Sequence, residues 1–282
     1  MIATKIFNNN SIVSMNDKGE EIILVGGGIG FGIRKNDEID ERKIEKVFCL
    51  EKETNYKFQS IVRNTPLQYI LAADQIITYI KKNSSKKIND FIYVTLTDHI
   101  YTTIERVKNH IEFDQVLLTN VKNLYHEEYI LGLDALKVLQ SRLHINIPDS
   151  EANFIALHII NAEMNCSMPM IYEITSTIAE IAHYVSETLH TEQNTISFDR
   201  FMTHCRFLIQ RVFNKNEDEV NNALFENILT DIEKSHTEEL NCVEHIMDII
   251  KEKCQYEINE DEKMYLMIHL IRLKNSKYQN RQ

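Results

Sequence analysis

Long hydrophobic runs are missing from this chain of 282 residues. No stretch of about 18 apolar residues occurs, which excludes a membrane-spanning helix. The N-terminus, MIATKIFNNN, lacks the apolar core of a signal peptide, so export is not expected. The five cysteines are odd in number and form no CxxC pair, which favours free thiols in a reducing compartment. Together these absences predict a cytoplasmic protein without membrane insertion.

Excess positive charge is missing as well, because the formal net charge is −11 at pH 7. An acidic protein repels nucleic acid at long range. Residues 1–57, however, contain 9 Lys and Arg against 10 Asp and Glu, so this segment is close to neutral. Strong, purely electrostatic binding to nucleic acid is therefore not expected. Shape-specific binding by a small N-terminal module stays open.

Glycine is almost absent beyond the N-terminal segment, since six of the seven glycines fall within residues 19–32. The same segment has short apolar runs typical of strands, such as Glu21–Val25, and Asp17–Gly19 has the composition of a hairpin turn. We therefore predict a small all-β domain over residues 1–56.

Beyond this segment the apolar residues recur at helical spacing, and a multidomain architecture with two all-α helical bundles is expected. The predicted domains are residues 65–168 and 170–282, joined by a linker at Cys166–Pro169. The predicted helical segments of the first bundle are Ile61–Ile80 (interrupted at Pro66), Phe91–His110, Phe113–Asn123, Tyr125–Arg142 and a helix that starts at Pro148–Glu151.

The two bundles are homologous, because the chain contains one segment twice. Ile147–Ile160 reads IPDSEANFIALHII, and Ile258–Ile271 reads INEDEKMYLMIHLI. A second matching segment lies upstream of each copy, and it includes an arginine in both. The residues that match upstream are His99 with His204, Arg106 with Arg211, and Asn109 with Asn214.

Each copy thus carries two histidines at matching positions: His99 and His158 in the first, His204 and His269 in the second. The two histidines of a copy are distant in sequence, but they can meet across a bundle. A lone histidine on a helix is more often structural or exposed than functional, whereas a repeated pair indicates a shared role.

Metal binding and catalysis are the weaker explanations of these histidines. The motif HExxH is absent, and His126 has no second histidine at the required spacing. Two histidines per copy without evident carboxylate or thiolate partners make a poor zinc site, so neither a metal nor another cofactor is expected. No serine elbow occurs, and a duplicated pair is an unusual way to build one active site.

Reversible phosphorylation fits better. A neutral imidazole is a nucleophile at cytosolic pH and can accept a phosphoryl group from phosphohistidine or phosphocysteine. The product gains roughly two negative charges, which can open or close an interface. The glycine-rich Gly26–Gly32 is not a nucleotide loop, because Phe31 stands where GxGxxG needs its last glycine and no Gly-Lys-Ser/Thr follows.

Several motifs in order resemble the transcriptional antiterminators of the BglG/SacY type, over essentially the whole chain. These motifs are IFNNN at Ile6–Asn10, GGGIGFG at Gly26–Gly32, IEKVF at Ile44–Phe48, LTDHI at Leu96–Ile100, YHEEYILG at Tyr125–Gly132 and the two histidine helices. The resemblance implies an RNA-binding domain followed by two regulation domains of the sugar phosphotransferase system (PTS), and no enzymatic activity.

The resemblance further implies a homodimer that binds a hairpin in a leader mRNA and thereby prevents the terminator hairpin from forming. It makes His99 and His158 the targets of a sugar-specific permease, and His204 and His269 those of the carrier protein HPr. A β-glucoside or sucrose system is expected. RNA contacts are assigned to Asn10, Gly26 and Phe31, since an aromatic can stack on an unpaired base with about 1–3 kcal/mol.

Two positions depart from the pattern. Gly27 stands where relatives usually have a basic residue, and Lys5, Arg34 or Lys35 can compensate; we count Lys5 among the expected RNA contacts. Asp98 precedes the first histidine, where the second copy has a threonine, and a carboxylate there can orient the imidazole. Two alternatives stay open: a PTS-regulated DNA-binding activator, which needs a helix-turn-helix N-terminus, and a histidine-dependent hydrolase.

Overall fold

The structure is a computed structural model that describes residues 1–111, 121–193, 195–214 and 226–279. The chain divides into two compact units, Met1–Met168 and Pro169–Gln282. Among the described residues, no helix is both long enough and apolar enough to cross a membrane.

The N-terminal segment forms a four-stranded antiparallel sheet whose strands pair in chain order. The strands are β1 (Lys5–Asn8), β2 (Ser11–Met15), β3 (Glu21–Val25) and β4 (Lys46–Phe48), with a turn of 3₁₀ helix at Glu41–Lys43 before β4. The predicted hairpin is confirmed: Met15 pairs with Glu21, and Gly19 has a φ of +76°. Asn16 stabilises this turn, since its Oδ1 accepts hydrogen bonds from two backbone N–H groups.

Both faces of the sheet are buried. On one face Ile12, Ile22 and Leu24 pack with Ile29 and Ile39 in a small core. On the other face the alternate residues, Val13, Ile23, Val25 and Phe48, join a larger core that extends into the helices. A strand buried on both sides reads as a continuous apolar run, which explains the sequence of β3.

Helix α1 (Lys52–Asn64) begins earlier than the helical pattern indicated, and the predicted domain end at residue 56 lies inside it. Its buried face includes Asn55, Phe58, Gln59 and Val62, at the spacing of one helical stripe. Two of these residues are polar because they bond to Glu21 on β3: Asn55 Nδ2 lies 2.6 Å from the Glu21 carbonyl oxygen, and Gln59 Nε2 lies 2.9 Å from Oε2. Because Asn55 and Gln59 interrupt the apolar stripe in the sequence, the amphipathic pattern of α1 was not recognised there.

Five described helices follow in each copy of the repeat. In the first bundle they are α2 (Leu67–Asn83), α3 (Ile92–Lys108), α4 (Val121–Leu124), α5 (His126–Leu143) and α6 (Glu151–Met164). In the second bundle they are α7 (Met168–Thr188), α8 (Ile196–Asn214), α9 (Glu226–Ser235), α10 (Thr237–Cys254) and α11 (Glu260–Gln279). The predicted fold class is thereby confirmed, although most of the predicted helix Phe113–Asn123 lies outside the described residues.

The break between the two copies is shorter than the predicted linker. Helix α6 ends at Met164, and Asn165 adopts the left-handed conformation with a φ of +52°. Helix α7 already begins at Met168, so Pro169 lies in its first turn, where the missing N–H of a proline does no harm.

Helices α5 and α6 approach each other closely at Gly132. A Cβ there would lie 2.5 Å from the carbonyl oxygen of Ala152 and 3.3 Å from the nitrogen of Ala156. Gly132→Ala should therefore lower the free energy of unfolding by about 1–3 kcal/mol. In a helix without such a neighbour, the same change would stabilise by about 1 kcal/mol.

Urea unfolding of the full chain, followed by circular dichroism, measures this effect. The control is Gln68→Ala, an exposed position on α2 that should change stability by less than about 0.5 kcal/mol. An unchanged or raised unfolding midpoint for Gly132→Ala would show that α5 and α6 are not in such close contact.

Candidate functional site

Phe31 extends from the N-terminal module with 72% of its surface exposed. Its backbone N–H donates to the carbonyl of Gly28 at 3.2 Å, so it stands at the end of a tight turn. Phe31 is therefore not part of the hydrophobic core. An exposed aromatic ring offers a face on which an unpaired base can stack.

Asn10 holds this glycine loop in place. Its Oδ1 accepts a hydrogen bond from the N–H of Gly28 at 2.9 Å, and its carbonyl accepts one from Gly26 at 3.0 Å. Its Nδ2 has no hydrogen-bond partner among the described residues. Asn10 therefore orders the loop with one end of its carboxamide and keeps a donor for a ligand at the other.

The glycines of the loop differ in their surroundings. A Cβ on Gly26 would lie 1.8 Å from the carbonyl oxygen of Lys43, so packing against that segment alone requires a glycine. Gly27 is exposed, and its N–H donates to Glu45 Oε1 at 2.8 Å. Sequence reasoning missed one cation at this turn, Lys43, whose Nζ lies 3.4 Å from the Gly28 carbonyl oxygen.

Lys5 lies on β1 and pairs with Glu21 at 2.8 Å. No described contact joins Lys5 to Asn10 or Phe31. Asn10, the loop and Phe31 thus lie together, whereas Lys5 lies beside Glu21 at the start of β3.

The two histidines of each copy do meet across their bundle. The ring centroids of His99 and His158 are 4.8 Å apart, and those of His204 and His269 are 4.9 Å apart. In each pair the first histidine comes from the middle of one helix, α3 or α8, and the second from α6 or α11. Duplicated sequence has produced duplicated geometry.

A carboxylate and an arginine complete the first pair. His99 Nε2 lies 3.1 Å from Glu151 Oε2, and Arg106 Nη2 lies 3.2 Å from Glu151 Oε1. Thr103 Oγ1 donates to Glu151 Oε2 at 3.2 Å and accepts from Arg106 Nη2 at 2.8 Å. The carboxylate is thus held from both sides and faces the imidazole of His99.

The second copy repeats the set with looser geometry. Glu262 stands where the first copy has its carboxylate, and Arg211 forms an ion pair with it. His204 Nε2 lies 3.6 Å from Glu262 Oε2, which is beyond a hydrogen bond, and both atoms are buried without a hydrogen-bond partner. The position that matches Thr103 is Leu208, which cannot anchor the carboxylate.

The ionisation of these groups follows from burial and contacts. Burial would raise the pKa of Glu151, but the hydrogen bond to His99 and the charges around it hold that pKa below its usual value. Burial raises the pKa of Glu262, against the opposing effect of Arg211. Burial lowers the pKa of His158 well below its usual value and that of His204 to about 4, so both rings are neutral at cellular pH.

Sequence reasoning did not connect the carboxylates or the matched arginines with the histidine pairs, although the repeat contained both. Asp98, expected to orient the first imidazole, is exposed and makes no described contact with its ring; Glu151 has that place. Each pair does have a carboxylate beside it, which was not evident from the sequence. Even so, no cluster of three or more His, Cys, Asp or Glu side chains suited to a metal occurs within the described ranges.

Comparison with known proteins agrees with this architecture. Residues 1–57 match the CAT RNA binding domain, and residues 74–162 and 176–273 match the PRD domain. Transcription antiterminator LicT of Bacillus subtilis (strain 168) is 35% identical over 276 residues, covering 97% of this chain and 99% of that protein. Beta-glucoside operon antiterminator of Dickeya chrysanthemi is 32% identical over 282 residues, covering 98% and 97%.

A solved structure is similar as well. The crystal structure of GlcT CAT-PRDI is 28% identical, with a TM-score of 0.48, and covers 57% of this chain and 97% of that one. The matches along nearly the full length, one RNA-binding domain and two PRD domains, give the activity: antitermination of transcription under control of the PTS. The chain belongs to the family of transcription antiterminators of the BglG/SacY type.

Proposed function

We propose that this antiterminator acts in the cytoplasm as a homodimer that binds a hairpin in a leader mRNA and prevents the terminator hairpin from forming. A sugar-specific PTS permease phosphorylates the first histidine pair and turns the protein off. HPr phosphorylates the second pair and supports the active dimer. The protein is a regulator, not an enzyme, and its histidines only receive phosphate.

One observation carries the link between phosphate and RNA: helix α3 carries His99 and also packs against the sheet of the RNA-binding domain. His99 lies in the middle of α3, and Tyr93, near its start, packs against Phe48 of β4 with ring centroids 5.5 Å apart. A phosphoryl group adds roughly two negative charges to His99 on this helix. The added charge favours a new arrangement of α3 within the bundle, and the shared core passes any such shift to the sheet.

The RNA face is supported by its exposed aromatic and by its ordered loop. Folded RNA is recognised through splayed bases, stacking and close backbone approach more than through groove contacts. Phe31 is placed to stack, the Nδ2 of Asn10 to donate to a base edge, and Lys43 to approach a phosphate. This arrangement needs little net positive charge, in agreement with the neutral composition of residues 1–57.

The alternative of a DNA-binding activator has less support. Residues 1–48, all of which the structure describes, form strands, turns and one short 3₁₀ helix, not a helix-turn-helix. The inducing sugar is proposed to be a β-glucoside, because one full-length relative has the name Beta-glucoside operon antiterminator.

Loss of the exposed aromatic should weaken RNA binding. We expect Phe31→Ala to reduce the affinity of the full chain for the leader hairpin about 5- to 150-fold, the equivalent of one stacked base. The probe is an RNA hairpin that overlaps a terminator hairpin in the leader mRNA of a β-glucoside operon, and fluorescence anisotropy measures the affinity.

The matched control is Tyr56→Ala, since this aromatic on α1 is 77% exposed but lies outside the loop. It should bind as the unmodified chain does. Full affinity of Phe31→Ala would remove Phe31 from the RNA site, whereas no binding by the unmodified chain would contradict the antiterminator proposal itself.

The first histidine pair should act as the off switch. We expect His99→Ala or His158→Ala to raise inducer-free expression of a reporter behind the leader and terminator to nearly the induced level. In the second pair, His204→Ala or His269→Ala should lower expression, because the activating charge is lost.

His183→Ala serves as the control, because this exposed histidine on α7 contacts only Glu187 among the described ion pairs. Its reporter response should stay sugar-dependent. Sugar-dependent expression in both His99→Ala and His158→Ala would contradict the assignment of the off switch to the first pair.

A further inference from the structure

The bond between His99 and Glu151 determines which nitrogen of this imidazole can react. An ionised carboxylate only accepts hydrogen bonds, and the pKa of Glu151 is held low. The hydrogen at the 3.1 Å contact therefore belongs to Nε2 of His99. In a neutral imidazole the other nitrogen, Nδ1, then has the free lone pair.

The surroundings leave Nδ1 of His99 open. It has no hydrogen-bond partner among the described residues, and it is not one of the buried polar atoms without a partner. His158 is the opposite case, because the residue is 7% exposed and its own Nδ1 is buried without a partner. Nδ1 of His99 is therefore at least partly accessible from outside the bundle, whereas Nδ1 of His158 is buried.

We propose that the phosphoryl group enters the first bundle at Nδ1 of His99, and that Glu151 is the positioning residue that selects this nitrogen. The proposal rests on the function proposed above and names the atom that receives phosphate. Arg106 and Thr103 support Glu151 in this role, because both bind its carboxylate and fix the direction in which its Oε2 points.

The transfer balances without any further reactant. The Nδ1 lone pair attacks phosphorus on the donor, and the donor's N–P bond (phosphohistidine) or S–P bond (phosphocysteine) breaks. The donor nitrogen or sulfur leaves with the electron pair. The proton on Nε2 stays, so the phosphorylated ring is a cation, and the carboxylate of Glu151 stabilises that charge at hydrogen-bond distance.

The second copy shows the effect of losing the hydrogen bond between histidine and carboxylate. There the matching contact is 3.6 Å, burial raises the pKa of Glu262, and no threonine anchors the carboxylate. Nothing selects one nitrogen of His204 to the same degree. The preference for Nδ1 is therefore assigned to the first bundle alone.

The tautomer can be measured without a phosphate donor. Long-range ¹H–¹⁵N spectra of the full chain, with ¹⁵N-labelled histidine, distinguish a protonated Nε2 from a protonated Nδ1, and His99→Gln assigns the signal. At a pH at which the His99 ring carries a single proton, we expect that proton on Nε2. A neutral ring protonated on Nδ1 would overturn the proposal, even if PTS proteins phosphorylate the chain.

The position of the phosphate is the second test. Phosphoramidate serves as a small phosphoryl donor, and ³¹P and ¹⁵N spectra separate phosphate on Nδ1 from phosphate on Nε2. We expect Nδ1-phosphohistidine at His99 and slower labelling of His158. In Glu151→Gln, labelling of His99 should fall about tenfold, as for the loss of one pKa unit of charge stabilisation, and part of the phosphate should move to Nε2.

The matched control is Glu105→Gln. This half-exposed glutamate lies on α3, the helix of His99, and pairs with Lys108. It should leave both the rate and the Nδ1 preference at His99 unchanged. Phosphate on Nε2 of His99, or an unchanged nitrogen preference in Glu151→Gln, would overturn the proposal. If instead HPr and the permease fail to label any of the four histidines, the proposed regulation fails, while the two spectra still decide this inference.

Discussion

The N-terminal sheet and the first bundle depend on one shared hydrophobic core. Phe48 on β4 packs edge-on against Phe58 on α1 at 4.9 Å, and Tyr93 on α3 contacts both rings. At the edge of this core Lys46 pairs with Asp74 at 2.8 Å. Separation of sheet and bundle would expose these rings to water, so the shared core holds the sheet and the helices together.

Both copies pair a buried carboxylate with a lysine, although the lysines stand at different positions in the two copies. In the first bundle the buried Glu128 and Glu163 share Lys86, and burial together with Glu128 raises the pKa of Glu163 to about 7. In the second bundle Lys274 stands at the position that matches Glu163 and pairs directly with the buried Glu239 at 3.0 Å. A buried carboxylate must be paired, and the two copies meet this requirement with cations from different elements.

The sequence predicted features that depend on local chemistry or on the repeat. The hairpin at Gly19 and the meeting of the histidines followed from turn residues and from matched positions. Helix α1 was placed too late, because Asn55 and Gln59 on its buried face look like surface residues until Glu21 is known to face them. Glu151 and Glu262 were interpreted as helix-start acids, since only the folded bundle shows that their side chains turn inward.

The same contrast explains how two copies can respond to different donors. Thr103 anchors Glu151, and this carboxylate then orients His99. Leu208 cannot anchor Glu262, whose carboxylate is bound only by Arg211 among the described residues. A bonded carboxylate stabilises the positive charge that the ring gains on phosphorylation, whereas a carboxylate beyond hydrogen-bond distance does so less. Under the proposed phosphorylation, the first site is therefore the better acceptor of the two in the described conformation. The second site needs a donor that compensates for this difference or a rearrangement that closes the 3.6 Å gap.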